Sequence, residues 1–200
     1  MGIRLKHKKK FLITVLVLGF FVFLVVYEAR QNAQHLQTFV ALNPDRDFTL
    51  TDQDGKVFHL KDHRGEVVLL FFGYITCPDI CPVTLSKLSR VYHLLGGKVN
   101  KVLTVFVTID PERDTMEKIK EYIGYFKLNA VGLTGTKEEI DGVVGAYKAF
   151  YEKVETNSAA GYLMDHTDYV YLIGPEGGVN DLIHRDDEPR KIVKLIKDSL

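Results

Sequence analysis

Two stretches leave this chain little freedom: Val67-Val68-Leu69-Leu70-Phe71-Phe72, and the run from Val102 to Ile109. Neither alternates apolar with polar residues, so a strand made from either must be covered on both faces. Helices are the natural cover, and the spacing supplies them. Leu85, Leu88, Tyr92 and Leu95 recur at helical intervals until Gly96-Gly97 stops the run, with Pro82 suited to the first turn. Ile119, Tyr122, Ile123 and Phe126 form a second apolar face, and Ile140, Val143, Val144 and Tyr147 a third. Asp114 with Glu117, and Thr136 with Glu139, predict capping boxes ahead of these two helices. Upstream, Asp54-Gly55 between Phe48–Leu50 and Val57–Leu60 predicts a hairpin. Downstream, a loop over about 152–165 leads to Asp165-His166-Thr167 and a strand over 169–173. A turn at Gly174–Gly178, a strand over 179–183 and a helix opened by Pro189 complete the chain.

Between the first apolar run and the first helix lies Gly73-Tyr74-Ile75-Thr76-Cys77-Pro78-Asp79-Ile80-Cys81-Pro82, which holds both cysteines of the protein. Thiols at the carboxyl end of a buried strand and the start of a helix are arranged as in a thioredoxin-like fold. The expected class is therefore α/β, thioredoxin-like, with an extra amino-terminal β-hairpin. Three uses of the pair compete. A structural disulfide closing so short a loop contributes only ~2 kcal/mol in the chain-entropy model. A redox pair is favoured by the helix start, whose free N–H groups lower a thiol pKa, and by spacing that sets both sulfurs on one side of a turn. Against it, three residues separate the cysteines where thioredoxin has two. The threonine that peroxidases of this fold place three residues before their cysteine is absent, since position 74 is Tyr and Thr76 directly precedes Cys77. A metal site suits two thiolates but needs a third donor. Of the seven histidines, His7 belongs to a basic run, His35 to a polar stretch, and His59, His63, His93 and His184 to solvated positions. His166 stands apart, in a loop able to fold over the cysteine corner, with Asp165 beside it to orient the ring. Spacing alone leaves the redox and metal readings both open.

The charge balance is uneven. Formal charge is zero, yet Arg4, Lys6, Lys8, Lys9 and Lys10 precede any acidic residue, so the remainder carries about −5. That gives no footprint for nucleic acid. Phe11 to Val26 is apolar except for Thr14, and these sixteen residues would span roughly 24 Å as a helix, with Tyr27 and the lysines extending the reach at the interfaces. The expected organisation is a basic cytoplasmic segment (1–10), a transmembrane anchor (11–27), a linker (28–46) and one domain (47–200) on the outer side of a bacterial plasma membrane.

Taken together, these residues resemble the Sco/SenC family of copper-binding, thioredoxin-like proteins. The likeness rests on Phe72-Gly73-Tyr74 with Cys77-Pro78-Asp79-Ile80-Cys81-Pro82, on Val107-Thr108-Ile109-Asp110-Pro111-Glu112-Arg113-Asp114-Thr115, on Gly132-Leu133-Thr134-Gly135, and on Asp165-His166-Thr167. It covers roughly residues 45–198. Ile75-Thr76 departs from the Thr-His that many members carry there, a histidine outside the family's ligand set. The resemblance implies Cys77, Cys81 and His166 as ligands of Cu(I) or Cu(II), and a role in assembling the CuA centre of cytochrome c oxidase. It implies as partners the CuA-bearing oxidase subunit and a copper donor or thiol reductant protein. The alternative is a thiol-disulfide reductase that uses Cys77 and Cys81 to keep the CuA-site cysteines reduced. Asp79 is a candidate outer contact, and Asp110–Thr115 reads as a turn with a helix cap, with no donor role.

Overall fold

The computed structural model describes residues 47–156 and 161–200, together with six residues between 19 and 27. Contacts divide the chain into two units, Met1–Ala41 and Leu42–Leu200. In the first, Phe20, Phe23 and Tyr27 are helical and exposed. The expected basic segment, the linker up to residue 46 and most of the expected anchor lie outside the described residues. Among the described residues, no helix is long and apolar enough to cross a membrane.

The second unit is an α/β domain of the thioredoxin-like class. Its strands are β1 (Thr49–Asp52), β2 (Val57–His59), β3 (Val67–Gly73), β4 (Val102–Thr108), β5 (Ala130–Thr134), β6 (Tyr151–Glu155), β7 (Tyr162–His166), β8 (Val170–Ile173) and β9 (Val179–Ile183). Its helices are α1 (Ile80–Leu95), α2 (Met116–Tyr125), α3 (Lys137–Ala146) and α4 (Pro189–Asp198). Seven strands form one sheet in the order β2-β1-β5-β4-β3-β8-β9. At its centre β3 and β4 run parallel, and every residue of both is buried, as their unbroken apolar pattern requires. The amino-terminal hairpin joins one edge antiparallel to β5, and the closing hairpin β8–β9 joins the other beside β3.

The helix signals act largely as their chemistry predicts. Thr136 and Glu139 close a full capping box on α3, and Pro189 stands in the first turn of α4. Helix α1 stops before Gly96, whose φ of 60° suits a residue without a side chain. At α2 the expected cap is displaced by one residue. Thr115 takes the N–H of Lys118, while Asp114 is buried and turned to other partners.

Two elements were not legible beforehand. The expected loop over 152–165 is in fact a hairpin, β6–β7, paired from Tyr151↔His166 to Glu155↔Tyr162 and forming a sheet of its own. Four of the five β6 residues are exposed, so no buried face left an apolar alternation to read. The other is β5, short and interrupted by Gly132, the kind of interior glycine that weakens a strand pattern. The glycine is there because α2 packs directly on this strand: a Cβ at Gly132 would lie 2.2 Å from Cγ2 of Ile119. Gly132→Ala is therefore expected to destabilise the domain by about 1–3 kcal/mol through overpacking. Urea unfolding measures it, and Ile119→Ala should cost less in the Gly132→Ala background than alone, since it removes the clashing methyl.

Candidate metal centre

Strand β3 delivers the cysteine loop to the edge of the core. Its last residue, Gly73, accepts the N–H of Ile109 at 2.9 Å, which ties the ends of β3 and β4 together. A Cβ on Gly73 would stand 2.9 Å from the Cys81 sulfur and 2.9 Å from the Phe106 ring. The glycine thus makes room for a sulfur seated directly on the sheet, and Cys81 is fully buried there while Cys77 is 9% exposed. Both cysteines are free thiols.

The two sulfurs are electrostatically unlike. Asp79, at the N-cap position of α1, makes no side-chain capping bond. The Cys77 sulfur stands in for it, accepting the N–H groups of Cys81 and Asp79. Above all Cys77 accepts the S–H of Cys81, and together these contacts hold its pKa far below the ordinary thiol range against the opposing effect of burial. The same Cys81-to-Cys77 bond, reinforced by burial, pushes Cys81 upward. The two thiols are thus pulled apart in acidity, Cys77 downward and Cys81 upward.

His166 is the last residue of β7. Its Nδ1 lies 2.8 Å from the carbonyl oxygen of Thr167. A carbonyl only accepts, so Nδ1 carries the proton and Nε2 is turned to the thiols, 3.5 Å from the Cys81 sulfur. The expected orienting residue, Asp165, is exposed, and the ring is fixed by Thr167 instead. Backbone explains the difference: Thr167 is itself clamped, its N–H to the Phe150 carbonyl and its hydroxyl oxygen to the Phe150 N–H, each at 2.9 Å. Tyr74 and Phe71 meet the imidazole edge to face at 5.8 and 6.2 Å.

The donor atoms of Cys77, Cys81 and His166 all lie within 4.8 Å of one another, and no other cluster of three or more such donors occurs among the described residues. An ion bound at roughly 2.0–2.3 Å from each donor holds them about 3.5–4 Å apart, so only small movements separate this group from a ligating arrangement. A cleft of about 510 Å³ opens onto it, lined in part by Pro78, Asp79, Met164 and Arg185. The remaining described histidines lie elsewhere: His59 bonds to Thr49, His63 stacks on Phe58, His184 meets Tyr169 edge to face, and His93 is exposed.

The turn after β4 has a larger part than its sequence signalled. Asp114, almost fully buried, accepts the N–H of Ile75 at 3.0 Å and the hydroxyl of Thr108 at 2.6 Å. It thereby holds the cysteine loop to the end of β4. A Thr-Ile-Asp-Pro run followed by an aspartate gives no hint of this, because the bond is made to a backbone N–H in another segment.

A thioredoxin-like domain with two thiols and one imidazole gathered at a strand end defines a class of small thiol and metal-handling proteins. Within it the assignment is specific. The sequence pattern of the SCO1/SenC family matches residues 37–200, and the chain belongs to that family. It is 37% identical over 152 residues to a SCO2-like protein of Rickettsia felis, spanning 76% of this chain and 74% of that one. It is similar to the structure of Bradyrhizobium japonicum ScoI with copper bound, at 36% identity and a TM-score of 0.71, covering 77% of this chain and 98% of that one. It also resembles BsSco, described as a member of the Sco family of cytochrome c oxidase assembly proteins with a disulfide switch. There the identity is 26% and the TM-score 0.60, over 76% of this chain and 91% of that one.

Burial raises the Asp114 pKa, with the Thr108 and Ile75 bonds opposing it. The folded state therefore keeps this proton to higher pH than the unfolded chain, and that stabilisation is lost as pH rises from about 4 through the raised folded value. Asp114→Asn, which still offers an oxygen to Ile75 and Thr108, has no such loss. Urea unfolding under reducing conditions is expected to show the variant gaining on the parent protein from pH 4 towards neutrality; a constant difference would refute the assignment.

Proposed function

We propose that this protein carries copper through Cys77, Cys81 and His166 and supplies it to the CuA centre of cytochrome c oxidase. The observation that carries the reading is the convergence of the three donor atoms within 4.8 Å, from segments 85 residues apart in sequence between Cys81 and His166. Two sulfurs suit Cu(I), and the imidazole accommodates Cu(II), so the same residues serve either oxidation state. Copper here is cargo. The chain's own contribution is a Cys77 thiol made easier to deprotonate, a fully buried second thiol at Cys81, and an imidazole whose free nitrogen faces them. Family membership, and the copper-bound ScoI to which the chain is similar, support the choice of metal. The oxidase role draws its support from the description of BsSco.

The CuA-bearing subunit is then the acceptor, with a copper donor or thiol reductant protein upstream. The apolar stretch over 11–27, preceded by lysines, supports anchoring in a bacterial plasma membrane with the domain outside. Closing Cys77 and Cys81 into a disulfide would remove both sulfur ligands, so copper loading and oxidation exclude one another.

The test uses the full chain and three variants, Cys77→Ser, Cys81→Ser and His166→Ala. Each is expected to weaken Cu(II) binding by at least about tenfold and to alter the thiolate-to-copper absorption. Unchanged affinity and spectrum in His166→Ala would overturn the ligand set. In cells, copper delivery predicts that all three variants lose oxidase activity. A reductase acting through the thiols alone predicts normal activity with His166→Ala.

A further inference from the structure

The hairpin that carries His166 is weakly fastened for an element that supplies a proposed ligand. β6 and β7 pair only with each other, and a two-stranded hairpin is marginal by itself in water. Its position is therefore set by what its inward face touches. Because side chains alternate along a strand, Tyr162, Met164 and His166 share one face of β7, and Met164 is buried. His166 reaches the thiols. Tyr162, at the far end of the strand, reaches the turn after β4.

The contacts at Tyr162 form a closed set. Its hydroxyl donates to Oδ1 of Asp110 at 2.9 Å. Asp110 Oδ2 takes the Nε–H of Arg113, and Arg113 Nη1 donates to the Tyr162 carbonyl at 2.9 Å. The guanidinium also stands 3.5 Å from the centre of the Tyr162 ring, and the Lys153 ammonium lies 3.8 Å from the same centre. Asp110 is 3% exposed, so these charge-assisted bonds are little screened by water. A cavity of about 110 Å³ lies beside them, lined by Ile109, Asp110, Tyr162 and Met164 among others. Met164 belongs to the core and Tyr162 packs against it, but this cavity interrupts the packing beside them, and there the polar contacts hold the hairpin. At the opposite end Tyr151 bonds Asp141, but that carboxylate is exposed and the interaction is open to solvent.

The same turn also grips the other half of the centre. Asp114 holds the Ile75 N–H, two residues before Cys77, and the Arg113 guanidinium lies 5.9 Å from the Tyr74 ring that abuts His166. We propose that Asp110, Arg113 and Tyr162 act as a latch that fixes hairpin β6–β7 against the turn after β4, and so sets the distance between the His166 imidazole and the two thiols. These are positioning residues; none is offered as a ligand. The inference deepens the copper reading and rests on it only for the role of His166.

The test has two independent readouts on the full chain. In the metal-free, reduced protein, Arg113→Ala is expected to speed amide hydrogen exchange in β6 and β7 at least tenfold, while β3 and β4 exchange as in the parent. Hairpin exchange at the parent rate would overturn the latch whatever the protein binds. The second readout is Cu(II) affinity in a double-mutant cycle of Arg113→Ala with His166→Ala. Arg113→Ala alone is expected to weaken binding about tenfold or more, and to have less than about a twofold effect once His166 is gone. Equal weakening in both backgrounds would show that Arg113 does not act through His166 and would overturn the proposal. If His166→Ala itself leaves affinity unchanged, it is the ligand set that falls, and the metal-free exchange still judges the latch. Tyr162→Phe, which removes one oxygen, is expected to show the same pattern at smaller amplitude. It decides the matter should Arg113→Ala not fold.

Discussion

The parallel pairing of β3 and β4 is the constraint on which the rest of this domain depends. Register places Gly73 opposite Thr108, so the two strands end together. Whatever follows them must emerge at one end of the sheet, where ligands of open α/β folds generally bind. Here the two continuations are the cysteine loop and the Asp110–Asp114 turn, and they bond to each other through Asp114 and Ile75. Without that shared end, neither the burial of Cys81 over Gly73 nor the approach of the turn to the hairpin would be possible. The apolar strands thus do more than build a core. They act as a jig for the polar groups beyond them.

Much of this was legible in the residues themselves. The central strands, the four helices, the capping box at Thr136 and the terminal hairpins all follow from apolar spacing and turn chemistry, which are local signals. What escaped was non-local. Hairpin β6–β7 buries too little to imprint a pattern, and β5 is interrupted by the glycine that Ile119 demands. Asp114 was expected to cap a helix because its neighbours in sequence suggest it, yet its partners are a backbone N–H and a hydroxyl from other segments. The expectation for Asp165 failed for the same reason: a side chain adjacent in sequence is a weaker guess than a carbonyl fixed by a strand pairing.

The centre itself was half legible. Cys77 and Cys81 announce themselves, and His166 could be singled out by elimination and by family likeness. Their inequality could not. That Cys77 is shifted downward and Cys81 upward depends first on which sulfur donates to the other, then on burial and on the N–H groups at the start of α1. Two identical residue types separated by one helical turn are shifted in opposite directions because one accepts the other's S–H and the donor is the more deeply buried.

The 85 residues between Cys81 and His166 have a consequence for the life of the chain. A ribosome adding about 5–20 residues per second needs roughly 4–17 s to proceed from the second thiol to the imidazole. Through that interval the newborn polypeptide presents two sulfurs with no imidazole partner and no completed hairpin over them. Any soft ion or oxidant present would meet a dithiol that still lacks its imidazole. Discrimination belongs to the finished domain alone, and the chain must reach that state with its sulfurs still unclaimed.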